Sequence, residues 1–130
     1  MSTTTSATVL VVDDAPDMRF LARAVLESAG LQVVAEAADG PEALDRFRDL
    51  NPPPVPTVIL LDNMMPGLTG LEVAERILAD SPDQVVVLFS AYLSDEITAR
   101  AEELGVSACV SKIDVSKLGT IIKTVVDAHS

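Results

Sequence analysis

The stretch "VILLDNMMPGLTG", residues 58–70, runs an unbroken apolar segment into Asp62 and then turns through two methionines, a proline and two glycines. A continuous run of large aliphatic residues suits a strand covered on both faces, the habit of parallel sheets. Asp62 follows at once, so the strand lifts a carboxylate to its own carboxyl end. Such an aspartate is either a cap for the next helix or a reactive group. The rest of the chain has to discriminate between them.

Outward from this stretch the same rhythm repeats. "TVLVV" (8–12), "LQVVAEA" (31–37), "TVILL" (57–61), "QVVVLF" (84–89) and the weaker "SACVS" (107–111) read as strands. Helical patterns alternate with them. The stretch 16–29 starts with Pro16 in its first turn and stops at Gly30, the expected asymmetry of helix ends. Asp39 with Glu42, and Thr69 with Glu72, have capping-box spacing. Ser94 opens a fourth helix that ends at Gly105. In the last helix Leu118, Ile121, Ile122, Val125 and Val126 form one apolar face. The segment "NPPPVP" (51–56) reads as a stiff turn, and Met64 and Met65 as core fillers. Five strands alternating with five helices predict an α/β fold, a doubly wound parallel sheet with right-handed crossovers.

The bulk numbers narrow the partners. A chain of 130 residues, 48% of them hydrophobic, suits one domain. Residues 1–6 read as a flexible N-terminus and 7–129 as the domain. The formal net charge of −11 repels nucleic acid and anionic membrane. Direct binding to either is not expected, and basic surfaces or cations are the natural partners. The lone Cys109 cannot form an internal disulfide, which suits a reducing compartment. The first residues carry neither the basic region of a signal peptide nor a membrane-length apolar run, so a cytoplasmic location is expected.

In doubly wound sheets, ligands bind beyond the carboxyl ends of the strands. The first strand ends in Asp13 and Asp14, the third in Asp62, the fourth in Ser90, and the fifth in Ser111 and Lys112. Each of these alone reads as a cap or a solvated surface group, as Asp17, Asp45 and Glu102 do. Together, four strand ends deliver three acids, hydroxyls and an ammonium to one edge. Clustered carboxylates disfavour one another's ionisation. A hard divalent cation relieves this, and Mg²⁺ prefers one or two carboxylates with waters and a phosphate oxygen. Lys112 offers a point charge suited to a phosphoryl oxygen. Asp62 is then the nucleophile of an acyl phosphate, with Asp13 and Asp14 on the metal and Ser90 hydrogen-bonding the phosphoryl group.

The segments "VLVVDD" (9–14), "VILLDNMMPGLTG", "LFSA" (88–91) and "CVSK" (109–112) make the chain strongly similar to the CheY-like receiver domain of two-component response regulators, over roughly residues 7–129. The resemblance implies a flavodoxin/CheY-like sheet in the order 2-1-3-4-5. It implies Asp62 as phosphoacceptor, Asp13 and Asp14 as the Mg²⁺-binding pair, and the Met64 backbone carbonyl as a further metal ligand. It makes Ser90 the hydroxyl that moves toward the phosphoryl group and Lys112 the lysine that pairs with it. The donor is then a phosphohistidine on a histidine kinase or histidine phosphotransfer protein, since His129 is poorly placed to serve. The output is expected on the face of the fourth helix, fifth strand and fifth helix, toward a separate protein target or a fused effector domain. A monomer and a phosphorylation-dependent dimer both fit.

Three departures from the family pattern stand out. Ile113 replaces the proline that usually follows the lysine. A cis bond before a non-proline residue costs about 2.5–4 kcal/mol, so a trans bond and a reshaped loop are expected. Cys109 occupies the switch position that is usually aromatic, with Tyr92 as a candidate substitute. Met64 and Tyr92 stand at the positions that tune hydrolysis, and neither orients water well, so slow autodephosphorylation is expected. No enzymatic activity beyond phosphoryl acceptance and this hydrolysis is expected. The alternatives are a constitutive, pseudo-receiver interaction module and an aspartyl-nucleophile phosphatase. Against the phosphatase, Met64 stands where such enzymes commonly carry a second aspartate. A stand-alone regulator and a receiver belonging to a longer protein are equally compatible with the chain.

Overall fold

β1 (Thr8–Val12), β2 (Gln32–Ala37), β3 (Val58–Leu61), β4 (Val85–Ser90) and β5 (Ala108–Ser111) pair in parallel in the order β2-β1-β3-β4-β5. The computed structural model describes residues 7–50 and 57–129. The expectations for residues 1–6 and for "NPPPVP" lie outside the described residues, as does the side chain of His129. The crossovers are α1 (Pro16–Ser28), α2 (Gly40–Asp49), α3 (Gly70–Asp80) and α4 (Asp95–Leu104), and α5 (Leu118–His129) closes the fold. The doubly wound sheet expected from the strand–helix alternation is therefore present, each element within a residue or two of its sequence-derived bounds.

Alternation along each strand divides the core into two layers. Val9 and Val11 face Ala22 and Leu26 of α1 and Leu118 and Ile122 of α5. Leu10 and Val12 face Ala43 and Phe47 of α2 and Val73 and Ile77 of α3. Both faces of β1, β3 and β4 are buried, which is why those runs lack polar interruptions until their carboxyl ends.

Helix ends follow local chemistry. Thr69 and Glu72 form the full reciprocal capping box of α3. Asp39 caps α2 through the Glu42 N–H at 2.8 Å, but the Glu42 carboxylate reaches back to the Ala38 N–H rather than to Asp39. α1 ends as Gly30 adopts φ +87°, with the Leu31 N–H bonded to the Leu26 carbonyl and the Gly30 N–H to that of Glu27, a Schellman closure. The link from β5 to α5 is a 3-10 turn over Lys112–Lys117, kinked at Asp114. This turn is the segment that carries Ile113 in place of the proline of the family pattern. The Ser111 side chain caps its start. Met65 is buried as a core filler, whereas Met64 is 58% exposed and fills no core space.

Candidate functional site

Parallel pairing in this register brings four carboxyl ends to one edge. Asp13 follows β1 and its N–H bonds to the Ala37 carbonyl at the end of β2 (3.1 Å). Asp62 follows β3, its N–H bonded to the Val12 carbonyl (2.9 Å). Ser90 ends β4, and Ser111, its register partner, precedes Lys112. Asp13, Asp62 and Ser90 are all buried, at 3%, 3% and 0% exposure. Buried polar groups of this kind are unusual enough to require partners.

Most of those partners are present. Lys112 Nζ lies 2.7 Å from Asp13 Oδ2 and 3.3 Å from Asp62 Oδ2, with the Phe89 ring 6.0 Å beneath it. Asp13 Oδ1 accepts from the Ala15 N–H (2.9 Å). Asp62 Oδ1 accepts from the Met64 N–H (3.1 Å). Asp14 is exposed, yet one oxygen from each of Asp13, Asp14 and Asp62 lies within 4.8 Å of the others. The Ser90 hydroxyl alone finds no hydrogen-bond partner among the described residues, although it is fully buried.

Burial pushes the Asp62 carboxyl above its ordinary range and the Asp13 charge pushes it further, against the opposing Met64 N–H and Lys112 ammonium. Burial alone would lower the Lys112 ammonium. The hydrogen bond to Asp13 and the charges of Asp13 and Asp62 overcome that and raise it. The edge is thus an electrostatically tense cup in which the Lys112 ammonium is shared between two carboxylates.

Several supporting residues escaped the sequence reading. Asn63 is buried; its carbonyl accepts from Gly70 and Met65, and its Oδ1 accepts from the Leu71 N–H (3.0 Å). It ties the turn after Asp62 to the start of α3. Gly70 permits this approach, since a Cβ there would run into the Asp62 carbonyl and stand 2.8 Å from Asn63 Cα. Position 70 therefore has no room for a side chain. Arg19 donates to the Asp13 carbonyl (2.7 Å). An amide directly after the aspartate and a glycine opening the next helix were visible in the sequence, but their mutual contact was not.

Other residues singled out in the sequence stand at the margin. Tyr92 and Ile113 are 61% and 88% exposed. Cys109 is half-buried against the layer of α2 and α3, and burial, with the nearby Glu102, pushes its thiol pKa up.

The fold and the acidic edge are those of a CheY-like α/β domain, and the chain belongs to the response regulator receiver domain family of two-component systems, whose model matches residues 9–123. It is 28% identical over 104 residues to the chemotaxis protein CheY of Thermotoga maritima, covering 80% of this chain and 83% of that protein. It is 40% identical over 92 residues to protein-glutamate methylesterase/protein-glutamine glutaminase 3 of Hahella chejuensis, covering 70% of this chain but only 25% of that longer protein. Two further methylesterase relatives are spanned to about 30% of their length. The solved structure of a LuxR-family two-component response regulator from Aurantimonas superposes with a TM-score of 0.87 at 28% identity, covering 95% and 87% of the two chains. Receiver domains bind Mg²⁺ at an acidic pocket and interact with histidine kinases, phosphotransfer proteins and effector domains. Among the described residues, no helix is long and apolar enough to cross a membrane.

Proposed function

We propose that residues 7–129 form a phosphorylation-activated switch in which Asp62 accepts a phosphoryl group from a phosphohistidine on a histidine kinase or phosphotransfer protein. The observation that carries this reading is the Asp13–Lys112–Asp62 cluster together with the buried Ser90 hydroxyl, which lies at the strand end paired with Ser111 and finds no partner among the described residues. An orphaned buried hydroxyl costs stability unless a ligand completes it. A phosphoryl oxygen on Asp62 is the natural acceptor.

The acidic cluster suits Mg²⁺. Octahedral coordination at 2.0–2.1 Å places ligand oxygens at most about 4.1 Å apart. Carboxylate oxygens within 4.8 Å of one another therefore fit a mixture of direct and water-mediated contacts, with Asp13, Asp14, Asp62 and the Met64 carbonyl as the holding groups. When bound, Mg²⁺ supplies positive charge against the phosphoryl oxygens. An Asp62 oxygen attacks phosphorus in line, the P–N bond to the donor imidazole breaks, and the imidazole nitrogen keeps the electron pair. Lys112 leaves its Asp13 contact for a phosphoryl oxygen, and the Ser90 hydroxyl donates to another. Movement of both groups acts on β4 and on the turn after β5, biasing a two-state equilibrium at the α4–β5–α5 face. That face then contacts a separate target or a fused effector domain.

Incubation of the chain with acetyl phosphate and Mg²⁺ tests the reading by intact-mass spectrometry. One added phosphoryl group with Mg²⁺ and none in EDTA is expected. An unmodified mass in both conditions overturns it.

Once formed, the acyl phosphate is expected to persist. Met64 and Tyr92, two residues after Asp62 and Ser90, are exposed, and neither side chain carries a group that orients an attacking water. Met64→Asn combined with Tyr92→Glu is expected to shorten the phosphoryl half-life about tenfold or more, since a positioned polar side chain contributes at least that in general-base chemistry. An unchanged half-life would refute the assignment of these two positions.

A further inference from the structure

Arg19 has no part in the scheme above, yet it touches the acidic edge directly. Its Nη1 donates to the Asp13 carbonyl at 2.7 Å, and its Nε donates to Glu36 Oε1 at 3.3 Å. The other Glu36 oxygen accepts from Arg23 Nε at 2.7 Å. The Arg19 side chain is largely buried, at 19% exposure. Asp13 is thereby held at three points: its N–H by Ala37, its carbonyl by Arg19 and its Oδ1 by the Ala15 N–H. Oδ1 keeps a second lone pair, and Oδ2 faces the Lys112 ammonium at 2.7 Å.

We propose that Arg19, tethered by Glu36, is a positioning residue that fixes the Asp13 backbone so that the Asp13 carboxylate is presented to a divalent cation beside Asp14 and Asp62. This rests on the function proposed above. The planar guanidinium bonds a strand-end carbonyl and a neighbouring strand's carboxylate at once, which a lysine ammonium on a flexible stem does not reproduce. The sign of the effect separates geometry from charge. Removing a nearby positive group should tighten cation binding if Coulomb repulsion were its whole influence. A positioning role predicts the reverse.

Calorimetric titration of Mg²⁺ into the metal-free chain decides, with thermal unfolding in EDTA run alongside. Loss of a group that orients a metal ligand typically weakens affinity 10-fold or more, so Arg19→Met is expected to bind Mg²⁺ about tenfold more weakly than wild type. Arg19→Lys, which keeps the charge, is expected to show most of that loss. Arg23→Met shares Glu36 but does not touch Asp13, and is expected to stay within about twofold of wild type. Unchanged or tighter binding by Arg19→Met overturns the inference, as does an equal loss in Arg23→Met. If Arg19→Met does not fold, Glu36→Leu, which removes the acceptor of both Arg19 and Arg23, is expected to weaken Mg²⁺ binding about threefold or more, beyond the effect of Arg23→Met, and wild-type affinity there overturns the inference. A wild-type chain that binds no Mg²⁺ defeats the proposed function itself, and the role of Arg19 with it.

Discussion

Lys112→Met is expected to lose about 3–5 kcal/mol of folding stability in EDTA, the usual cost of removing one partner from a buried ion pair, and to recover part of it when Mg²⁺ is added. The ammonium sits 2.7 Å from Asp13 and 3.3 Å from Asp62, and the side chains involved are 15%, 4% and 4% exposed. Methionine fills similar space without charge, leaving two carboxylates facing each other in a cleft that water barely enters. Burial already holds the Asp62 carboxyl above its ordinary value, and Lys112 is one of the two groups opposing that rise. Without it the folded-state value climbs further. A carboxyl raised in the folded state makes its ionised form destabilising. The deficit of the variant should therefore grow as pH rises from about 3.8, the ordinary value, through the raised one, and be complete above it. Lys112 has the complementary alkaline signature in wild type. Its raised ammonium contributes stability below the ordinary 10.5 that is lost as pH climbs through the folded value. Mg²⁺ replaces the missing cation and stabilises the variant by binding the folded state alone. Urea denaturation followed by circular dichroism measures all of this. A variant as stable as wild type in EDTA, and indifferent to Mg²⁺, would show that the lysine is not what balances these acids.

The parts of this protein that depend on one element were readable in advance. Unbroken apolar runs announce strands buried on both faces, and the first polar residue after each run marks the sheet edge. Parallel order forces those marks together, so Asp13, Asp62, Ser90 and Lys112 converge without any knowledge of side-chain geometry. Caps with fixed spacing, such as Thr69 with Glu72, are readable for the same reason. Contacts that depend on how one element leans on another are not. Arg19 reaches the Asp13 carbonyl only because α1 turns back across the end of β1, and its tether Glu36 comes from a neighbouring strand. The Glu42 carboxylate prefers the Ala38 N–H to that of Asp39, a choice of one residue that spacing does not decide. Met64 and Met65 have identical chemistry, yet the turn sends one into solvent and the other into the core. Gly70 looks like an ordinary helix start until the Asp62 carbonyl is seen pressed against it.

Asp62→Asn is expected to abolish phosphoryl acceptance entirely while making the metal-free protein more stable at neutral pH. The amide oxygen cannot form an acyl phosphate, so intact-mass spectrometry after acetyl phosphate and Mg²⁺ should show no modified species where wild type shows one. The gain in stability has a separate origin. Desolvation is the largest influence on Asp62 and disfavours its charge, so a neutral isostere relieves it. The Met64 N–H contact can pass to the amide oxygen, and Lys112 keeps its shorter contact with Asp13 at 2.7 Å. The pH dependence follows from the raised carboxyl. At pH below the ordinary carboxylate range Asp62 is protonated in both folded and unfolded chains, and the advantage of asparagine fades. It appears as pH rises from the ordinary value through the raised one and is full above it. Mg²⁺ then reverses the trend, because the wild-type carboxylate is a candidate ligand and the amide a poorer one, so added metal should stabilise wild type more than the variant. Melting temperatures at acid and neutral pH, in EDTA and in Mg²⁺, separate these contributions. A phosphorylated Asp62→Asn chain would move the acceptor elsewhere. A variant less stable than wild type in EDTA at neutral pH would mean that the tension at this strand end is already relieved by its surroundings. In the proposed function, a site kept costly until a cation and a phosphoryl group complete it is how a small chemical event would bias the domain, and the raised Asp62 carboxyl is where that cost would be felt.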